Sequence, residues 1–206
     1  MENKKKSLWQ FFQMLGKTFM FPIALLSGCG MLLGIGSAFT NSSLIEAVPL
    51  LGNPVLQKIF SFMTTLGLFA FNNLGVLFAM AIPLGLLKEE KEFGAFTGLV
   101  SFMSMHIGTN FYLTITDQLA AADKMTEAGQ GMILGIQTYN TSVLGGIIAG
   151  LMVFWLYPKI SKVKIPEALG FYSGPRLAPI AMLVIMGIFG MVAVPLFWQP
   201  FYNFFK

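Results

Sequence analysis

Few side chains of this 206-residue chain stand in surroundings where they could do chemistry. The one histidine, His106, lies near the middle of a long uncharged stretch. An ionisable group in such a stretch is a functional-site hypothesis, and the structural alternative is a neutral His106 bonded to a neighbouring helix. One histidine without nearby cysteines or carboxylates cannot complete a coordination shell. We therefore predict no metal site and no cofactor.

Amide side chains form the second candidate group. Asn72 and Asn73 share one uncharged stretch, and Asn110 lies in the same stretch as His106. Together with His106 they are the candidate substrate-binding residues, since an amide could contact a sugar. Amides serve equally well as hydrogen-bond partners between helices. The only cysteine, Cys29, has no base or cation nearby and is interpreted as a packing residue. We find no nucleophile–base set, so no catalytic residue is predicted.

The elements that must position these side chains are long and apolar. Five stretches contain no Asp, Glu, Lys or Arg, namely 18–45, 59–87, 93–116, 128–157 and 177–205. Each is longer than the roughly 20 residues that a helix needs to cross the hydrocarbon core. The chain is 55% hydrophobic and 11% charged, whereas soluble domains are about 25% charged. The composition predicts an all-α polytopic membrane protein and, with a net charge of only +4, no nucleic-acid partner.

Within these stretches we predict about five transmembrane helices, at 20–39, 66–87, 94–116, 139–158 and 177–205. Two further segments, 7–19 and 54–65, have an apolar and a polar face at helical spacing. Such helices lie in the membrane interface rather than across it. Asn53 and Pro54 are a plausible N-cap and first residue for the second of them.

The cations alternate between the predicted loops. Ten fall on one side, namely Lys4, Lys5, Lys6, Lys17, Lys88, Lys91, Lys159, Lys162, Lys164 and Arg176. Three fall on the other, namely Lys58, Lys124 and Lys206. The positive-inside rule then predicts a cytoplasmic N-terminus. A cleaved signal peptide is the alternative for the basic start, but the apolar run is longer than the 7–15 residues typical of its core.

Three glycine pairs at four-residue spacing lie within the apolar stretches, namely Gly30/Gly34, Gly94/Gly98 and Gly146/Gly150. Such pairs let helix backbones approach closely in lipid. They indicate either a seam between two copies of the chain or ordinary packing within one copy.

The segment 164–180, KIPEALGFYSGPRLAPI, carries a resemblance to a known family. It resembles a segment of the membrane subunit IIC in the glucose superfamily of bacterial phosphotransferase systems. Residues 17–26, 34–37, 51–56 and 143–150 are also similar to that family, and 8–13 with 134–137 resemble its maltose/glucose branch. The resemblance covers nearly the whole chain.

The resemblance implies an EIIC permease subunit of a phosphoenolpyruvate-dependent system, in the bacterial cytoplasmic membrane, that couples uptake of maltose or glucose to phosphorylation. The family's sugar-binding segments, R-L-L-x-P-x-G-L-H-H and G-x-T-E-P, do not occur here. The chain is therefore expected to be truncated, and to be the N-terminal scaffold half of a ten-helix-type subunit, which carries the homodimer contacts.

The implied partners are a sugar, bound through the missing half, and a phosphorylated EIIB domain at the cytoplasmic face. The basic loop there holds the docking candidates Lys159, Lys162, Lys164 and Arg176, although the positive-inside rule also explains the three lysines. Phosphotransfer would belong to the parent complex, so whether the chain is itself an enzyme stays open. The alternative is a non-transport scaffold or sensor module derived from such a subunit.

Overall fold

The computed structural model describes the backbone of residues 2–205 and the side chains of 9–166, 170–198 and 200. The described residues form seven α-helices: α1 Glu2–Phe39, α2 Ser42–Ala47, α3 Pro54–Asn72, α4 Leu74–Leu86, α5 Lys91–Ile115, α6 Ser142–Ile160 and α7 Leu177–Phe205. Two antiparallel strands, β1 Gln130–Ile133 and β2 Ile136–Tyr139, form a hairpin between α5 and α6. The prediction of an all-α membrane-type protein is confirmed, with this hairpin as an addition.

Four helical segments are long and apolar enough to cross a membrane, namely Trp9–Phe39, Pro54–Asn72, Ser142–Ile160 and Gly174–Trp198. The predicted third span, 94–116, lies within α5, which is long enough but carries several Ser and Thr residues and His106. These polar residues lower its hydropathy, and most of them are buried. Among the described residues, three of the five predicted spans (20–39, 139–158 and 177–205) thus correspond to candidate segments. The fourth candidate, Pro54–Asn72, covers the predicted interfacial segment 54–65 and only the start of the predicted span 66–87.

Two predicted boundaries differ from the structure. Segments 7–19 and 20–39 lie in one uninterrupted helix, α1, which contains Pro22; proline is tolerated in membrane helices because neighbouring groups satisfy the freed backbone. Segments 54–65 and 66–87 do not divide at residue 65, since α3 continues to Asn72 and α4 starts at Leu74. Whether these segments lie across or along a membrane stays a prediction.

Asn73 explains where α3 ends. Its backbone N–H and its side-chain Nδ2 both donate to the carbonyl oxygen of Phe69, at 3.2 and 2.8 Å. A local side-chain bond of this kind competes with the continuation of a helix. The start of α3 is as predicted, because Asn53 Oδ1 accepts from the N–H of Val55 at 2.9 Å and Pro54 is the first helical residue.

The chain divides into two compact units, and Met20–Leu74 is the smaller. In it α3 packs along the part of α1 that begins at Met20. A Cβ on Gly67 would lie 2.7 Å from the carbonyl oxygen of Cys29, and Gln57 Nε2 donates to the carbonyl of Phe39 at 3.0 Å. The face of α3 that carries Gln57 and Gly67 thus packs against α1. An apolar stripe is exposed, formed by Val55, Ile59, Phe62, Leu66 and Phe69.

The larger unit comprises Met1–Phe19 and Gly75–Lys206. Its core surrounds α5, which packs along α7 and also contacts α6 and β2. Met105 of α5 and Met182 and Met186 of α7 are fully buried there. Aromatic contacts attach the start of α1 to this unit. The ring centroids of Phe11 and Phe154 are 5.9 Å apart, and those of Phe19 and Phe78 are 5.0 Å apart. Of the predicted apolar face of 7–19, Leu8 lies outside the described side chains.

The glycine pairs take different roles. Gly94 and Gly98 face α4, and a Cβ on Gly98 would collide with the carbonyl of Ala79. Gly146 and Gly150 also face α4, and a Cβ on Gly146 would meet the carbonyl oxygen of Gly75. For these two pairs the structure supports packing within one copy and not a seam between copies.

Gly30/Gly34 is the pair that stays open. No described atom lies within 4 Å of a Cβ built on Gly34, and the nearest to Gly30 is a Phe71 ring carbon at 3.9 Å. Of the three pairs, this one therefore retains the interpretation as a contact between copies.

Candidate functional site

His106 lies in the middle of α5 and is 1% exposed. Its Nδ1 is 3.3 Å from the hydroxyl of Thr138 on β2, and its Nε2 is 3.5 Å from the hydroxyl of Thr141 before α6. The Phe102 ring meets the imidazole edge-on, with 4.5 Å between centroids. A neutral imidazole has one donor and one acceptor nitrogen, and hydroxyls serve either. His106 thus joins α5 to the hairpin and to α6.

Asn110 lies one helical turn beyond His106 and forms a hydrogen bond to β2, the strand that His106 also contacts. Its Nδ2 donates to the carbonyl oxygen of Gln137 at 2.8 Å. The structure therefore brings His106 and Asn110 together as two attachment points for β2, which favours the structural alternative for both.

Two glutamine side chains order the loop before the hairpin. Gln130 Oε1 accepts from the N–H of Ala120 at 3.0 Å, and Gln130 Nε2 donates to the carbonyl of Gln118 at 2.7 Å. Gln137 Nε2 donates to the carbonyl of Ala120 at 2.7 Å and to Gln130 Oε1 at 3.0 Å. Hairpin and loop thus form one bonded cap over the end of α5.

The hairpin and its polar residues were missed by the sequence analysis. The feature that predicts it is the dipeptide Leu134-Gly135 between two short runs of β-forming residues, because two-residue hairpin turns favour glycine. Both residues have positive φ, 50° and 81°. Asn or Asp usually precedes the glycine in such turns. Because Leu134 stands at that position, the dipeptide predicts a hairpin only weakly.

Asn72 and Asn73 belong to the smaller unit. Asn72 is exposed at the last position of α3, and Asn73 ends that helix through its bond to Phe69. The structure gives Asn73 a capping role and gives neither residue a ligand site.

A groove of about 660 Å³ lies beside the ends of α5 and α7. Among the described residues that line it, Tyr112 alone carries a polar side-chain group, and its other walls include Met191, Pro195 and Leu196. A sugar needs several converging donors and acceptors. This groove does not provide them.

The four docking candidates are all exposed. Lys159 Nζ stands 3.8 Å over the ring of Trp155. Arg176 donates to the carbonyl of Phe171 at 3.2 Å and stacks on its ring. Lys162 and Lys164 complete the basic loop. The cationic groups are accessible to an acidic partner.

The helices and buried polar contacts define a multi-pass helical membrane protein. Comparison with known proteins narrows this class. The family model for the phosphotransferase system, EIIC, matches residues 16–206. A maltose-specific EIICB component of the phosphotransferase system from Escherichia coli strain K12 is 45% identical over 199 residues, which cover 96% of this chain and 37% of that relative. The chain belongs to the EIIC family, as the resemblance predicted, and it spans little more than a third of the relative's length.

We expect Thr138→Val to loosen the hairpin while leaving the helices folded. The valine keeps the side-chain shape but leaves a buried His106 nitrogen without its bond, which costs about 1–3 kcal/mol. Hydrogen exchange of the amides at 130–139 should accelerate. Thr114→Val is the matched control, because Thr114 is exposed and bonds only locally to Asn110. Equal protection in both variants would contradict the attachment role of His106.

Proposed function

We propose that this chain forms the scaffold part of a sugar permease, the EIIC subunit of a phosphoenolpyruvate-dependent phosphotransferase system for maltose or glucose. Sugar uptake and phosphorylation would require the sugar-binding part of EIIC and a phosphorylated EIIB domain. The observation that carries this proposal is the 45% identity over 96% of the chain to a maltose-specific EIICB component.

Two structural features support a scaffold role. Three polar side chains of α5 hold other elements: His106 and Asn110 bond to the hairpin, and Thr109 donates to the carbonyl of Gly190 at 2.8 Å. The described groove beside α5 and α7 is apolar. Neither offers a hydrated site for a sugar.

The experiment is a graft. The matched part of the Escherichia coli maltose EIICB component is replaced by this chain, and growth on maltose and on glucose is measured in cells without related permeases. The proposal expects phosphotransferase-dependent growth on one of these sugars. A graft that is stable in the membrane and supports neither would contradict the proposal and favour a non-transport module.

We propose that the N-terminus lies in the cytoplasm of a bacterial cell, because ten of thirteen cations fall in alternate loops on that side. Single cysteines at Ala122 and Val163, both exposed, should react with an impermeant thiol reagent from opposite sides. The background carries Cys29→Ala. Labelling of Ala122→Cys only from outside and of Val163→Cys only from inside is the expected result, and the same side for both would refute the orientation.

We further propose that the chain forms a homodimer through the α1 face that carries Gly30 and Gly34, since that pair is open in one copy. Gly34→Leu should shift the protein toward monomer, measured by single-molecule counting in a bilayer. Gly28→Leu is the matched control, because Gly28 is equally open but lies on another side of α1. A strictly monomeric wild type, or equal dimerisation of both variants, would contradict this contact.

A further inference from the structure

A pocket of about 400 Å³ lies where α4 and α6 end and α5 begins. Met14 of α1 also lines it, and all its residues belong to the larger unit. Of its lining residues, Lys162 is also one of the docking candidates named above, and the pocket as a whole has been given no role so far.

The lining residues are of two chemical kinds, which we call the apolar wall and the charged wall. One is apolar and includes Met14, Leu87, Phe154 and Pro158. The other is charged, with two cations and two anions, namely Lys88, Lys162, Glu89 and Glu90. These four side chains are exposed to solvent, and their formal charges cancel. A ligand matched to both walls has an apolar part and a head that carries a positive and a negative group.

Glu90 is held in place at the charged wall. Its carboxylate accepts a hydrogen bond at 3.0 Å from the hydroxyl of Tyr157, which is 2% exposed. Glu90 also has φ of 53°, an unfavourable backbone conformation for a residue with a side chain. Such conformations persist where the surroundings enforce them, and they concentrate at ligand sites. The anionic side of the pocket is therefore preorganised.

The neighbouring turns of α6 indicate the depth of the pocket in the membrane. Trp155 is 60% exposed and lies under the ammonium of Lys159. Exposed tryptophans and lysines at the ends of apolar helices are typical of the membrane–water interface. Lys162 lies two residues beyond the end of α6, so we expect the charged wall at the level of lipid headgroups and the apolar wall at the level of acyl chains.

We propose that this pocket binds one zwitterionic phospholipid with a primary ammonium in its headgroup, of the phosphatidylethanolamine class. The phosphate contacts Lys88 and Lys162, the ammonium donates to Glu89, and an acyl chain lies along Met14 and Phe154. A quaternary choline headgroup has no N–H to donate to the carboxylate. An anionic glycerol headgroup brings no positive group, so Glu89 and Glu90 repel it. This inference does not depend on the proposed transport function.

The test uses the full 206-residue chain purified in detergent, with no partner present. Phosphatidylethanolamine, phosphatidylcholine and phosphatidylglycerol with identical acyl chains are added separately, and bound lipid is counted by native mass spectrometry. We expect one tightly bound phosphatidylethanolamine and about tenfold weaker binding of the other two, the effect of losing one hydrogen bond to a charged group.

Two variants at exposed positions locate the site. Lys162→Gln should weaken phosphatidylethanolamine binding about tenfold by removing a phosphate contact. Glu89→Gln should abolish the preference for phosphatidylethanolamine over phosphatidylglycerol, because the pocket then gains a net positive charge. Lys124→Gln, in the loop before β1, is the control and should bind like the wild type.

Several outcomes would overturn the proposal. Equal binding of phosphatidylcholine removes the role of the ammonium, and tighter binding of phosphatidylglycerol makes the pocket an anionic-lipid site. Unchanged binding in both Lys162→Gln and Glu89→Gln places the lipid elsewhere on the protein. Absence of any retained lipid in the wild type refutes the site altogether.

Discussion

Gly108→Leu is expected to destabilise the larger unit strongly. A Cβ at residue 108 would collide with the carbonyl oxygen of Gly187 and lie 2.9 Å from the backbone nitrogen of Met191. The reciprocal contact is just as close, because a Cβ on Gly190 would meet the carbonyl of Met105. The backbone cannot repack around a leucine. We therefore expect the free energy of unfolding to fall by about 3 kcal/mol, which lowers the folded-to-unfolded ratio roughly a hundredfold.

The measurement is the fraction of monodisperse protein recovered in mild detergent and its unfolding midpoint. Gly28→Leu is the control, since no described atom lies within 4 Å of a Cβ there. It introduces the same side chain into another apolar helix and should behave like the wild type. A Gly108→Leu protein as stable as Gly28→Leu would mean that α5 and α7 are not in backbone contact.

The second large effect concerns sugar uptake, which we expect to be absent when the chain is expressed by itself. We expect the 206-residue chain, expressed in cells that lack related permeases, to support no more uptake of maltose or glucose than an empty vector. The five apolar stretches carry no Asp or Glu that could bind a sugar inside the membrane. The only cysteine, Cys29, is buried and so is not accessible as a phosphoryl acceptor. Restored growth would place a complete sugar site in this chain.

Quantitative blotting of membrane fractions must accompany that measurement, so that a lack of uptake is not mistaken for a lack of protein in the membrane. Orientation labelling at Val163→Cys provides a further control, because a chain inserted in the proposed orientation exposes that position on the cytoplasmic side. Lack of uptake counts as support only when both controls show inserted protein.

Much of the fold follows from local rules that leave clear traces in the sequence. Uncharged stretches longer than 20 residues predicted helices, and Asn53-Pro54 predicted the start of α3. The break at Asn73 was not predicted, because it depends on one side chain that turns back to the Phe69 carbonyl inside an apolar run. Hydropathy averages over such a detail.

The partners of the candidate site could not be predicted. His106 was identified as an ionisable residue inside an uncharged stretch, but its contacts Thr138 and Thr141 lie more than 30 residues away along the chain. The glycine pairs show the same limitation. Spacing indicates that Gly34 and Gly146 allow close approach, but only the structure shows that α4 fills the space beside Gly146 while Gly34 stays open.

The most direct test of the scaffold proposal is the rate at which membrane vesicles carrying the grafted EIICB phosphorylate labelled maltose and glucose, with phosphoenolpyruvate and the soluble phosphotransferase components supplied. Vesicles with the original Escherichia coli protein set the reference, and vesicles with this chain alone set the background. We predict phosphoenolpyruvate-dependent phosphorylation of at least one sugar by the graft and none by the chain alone. A graft present at the reference level that phosphorylates neither sugar would contradict the proposal that this chain is the scaffold part of a sugar permease.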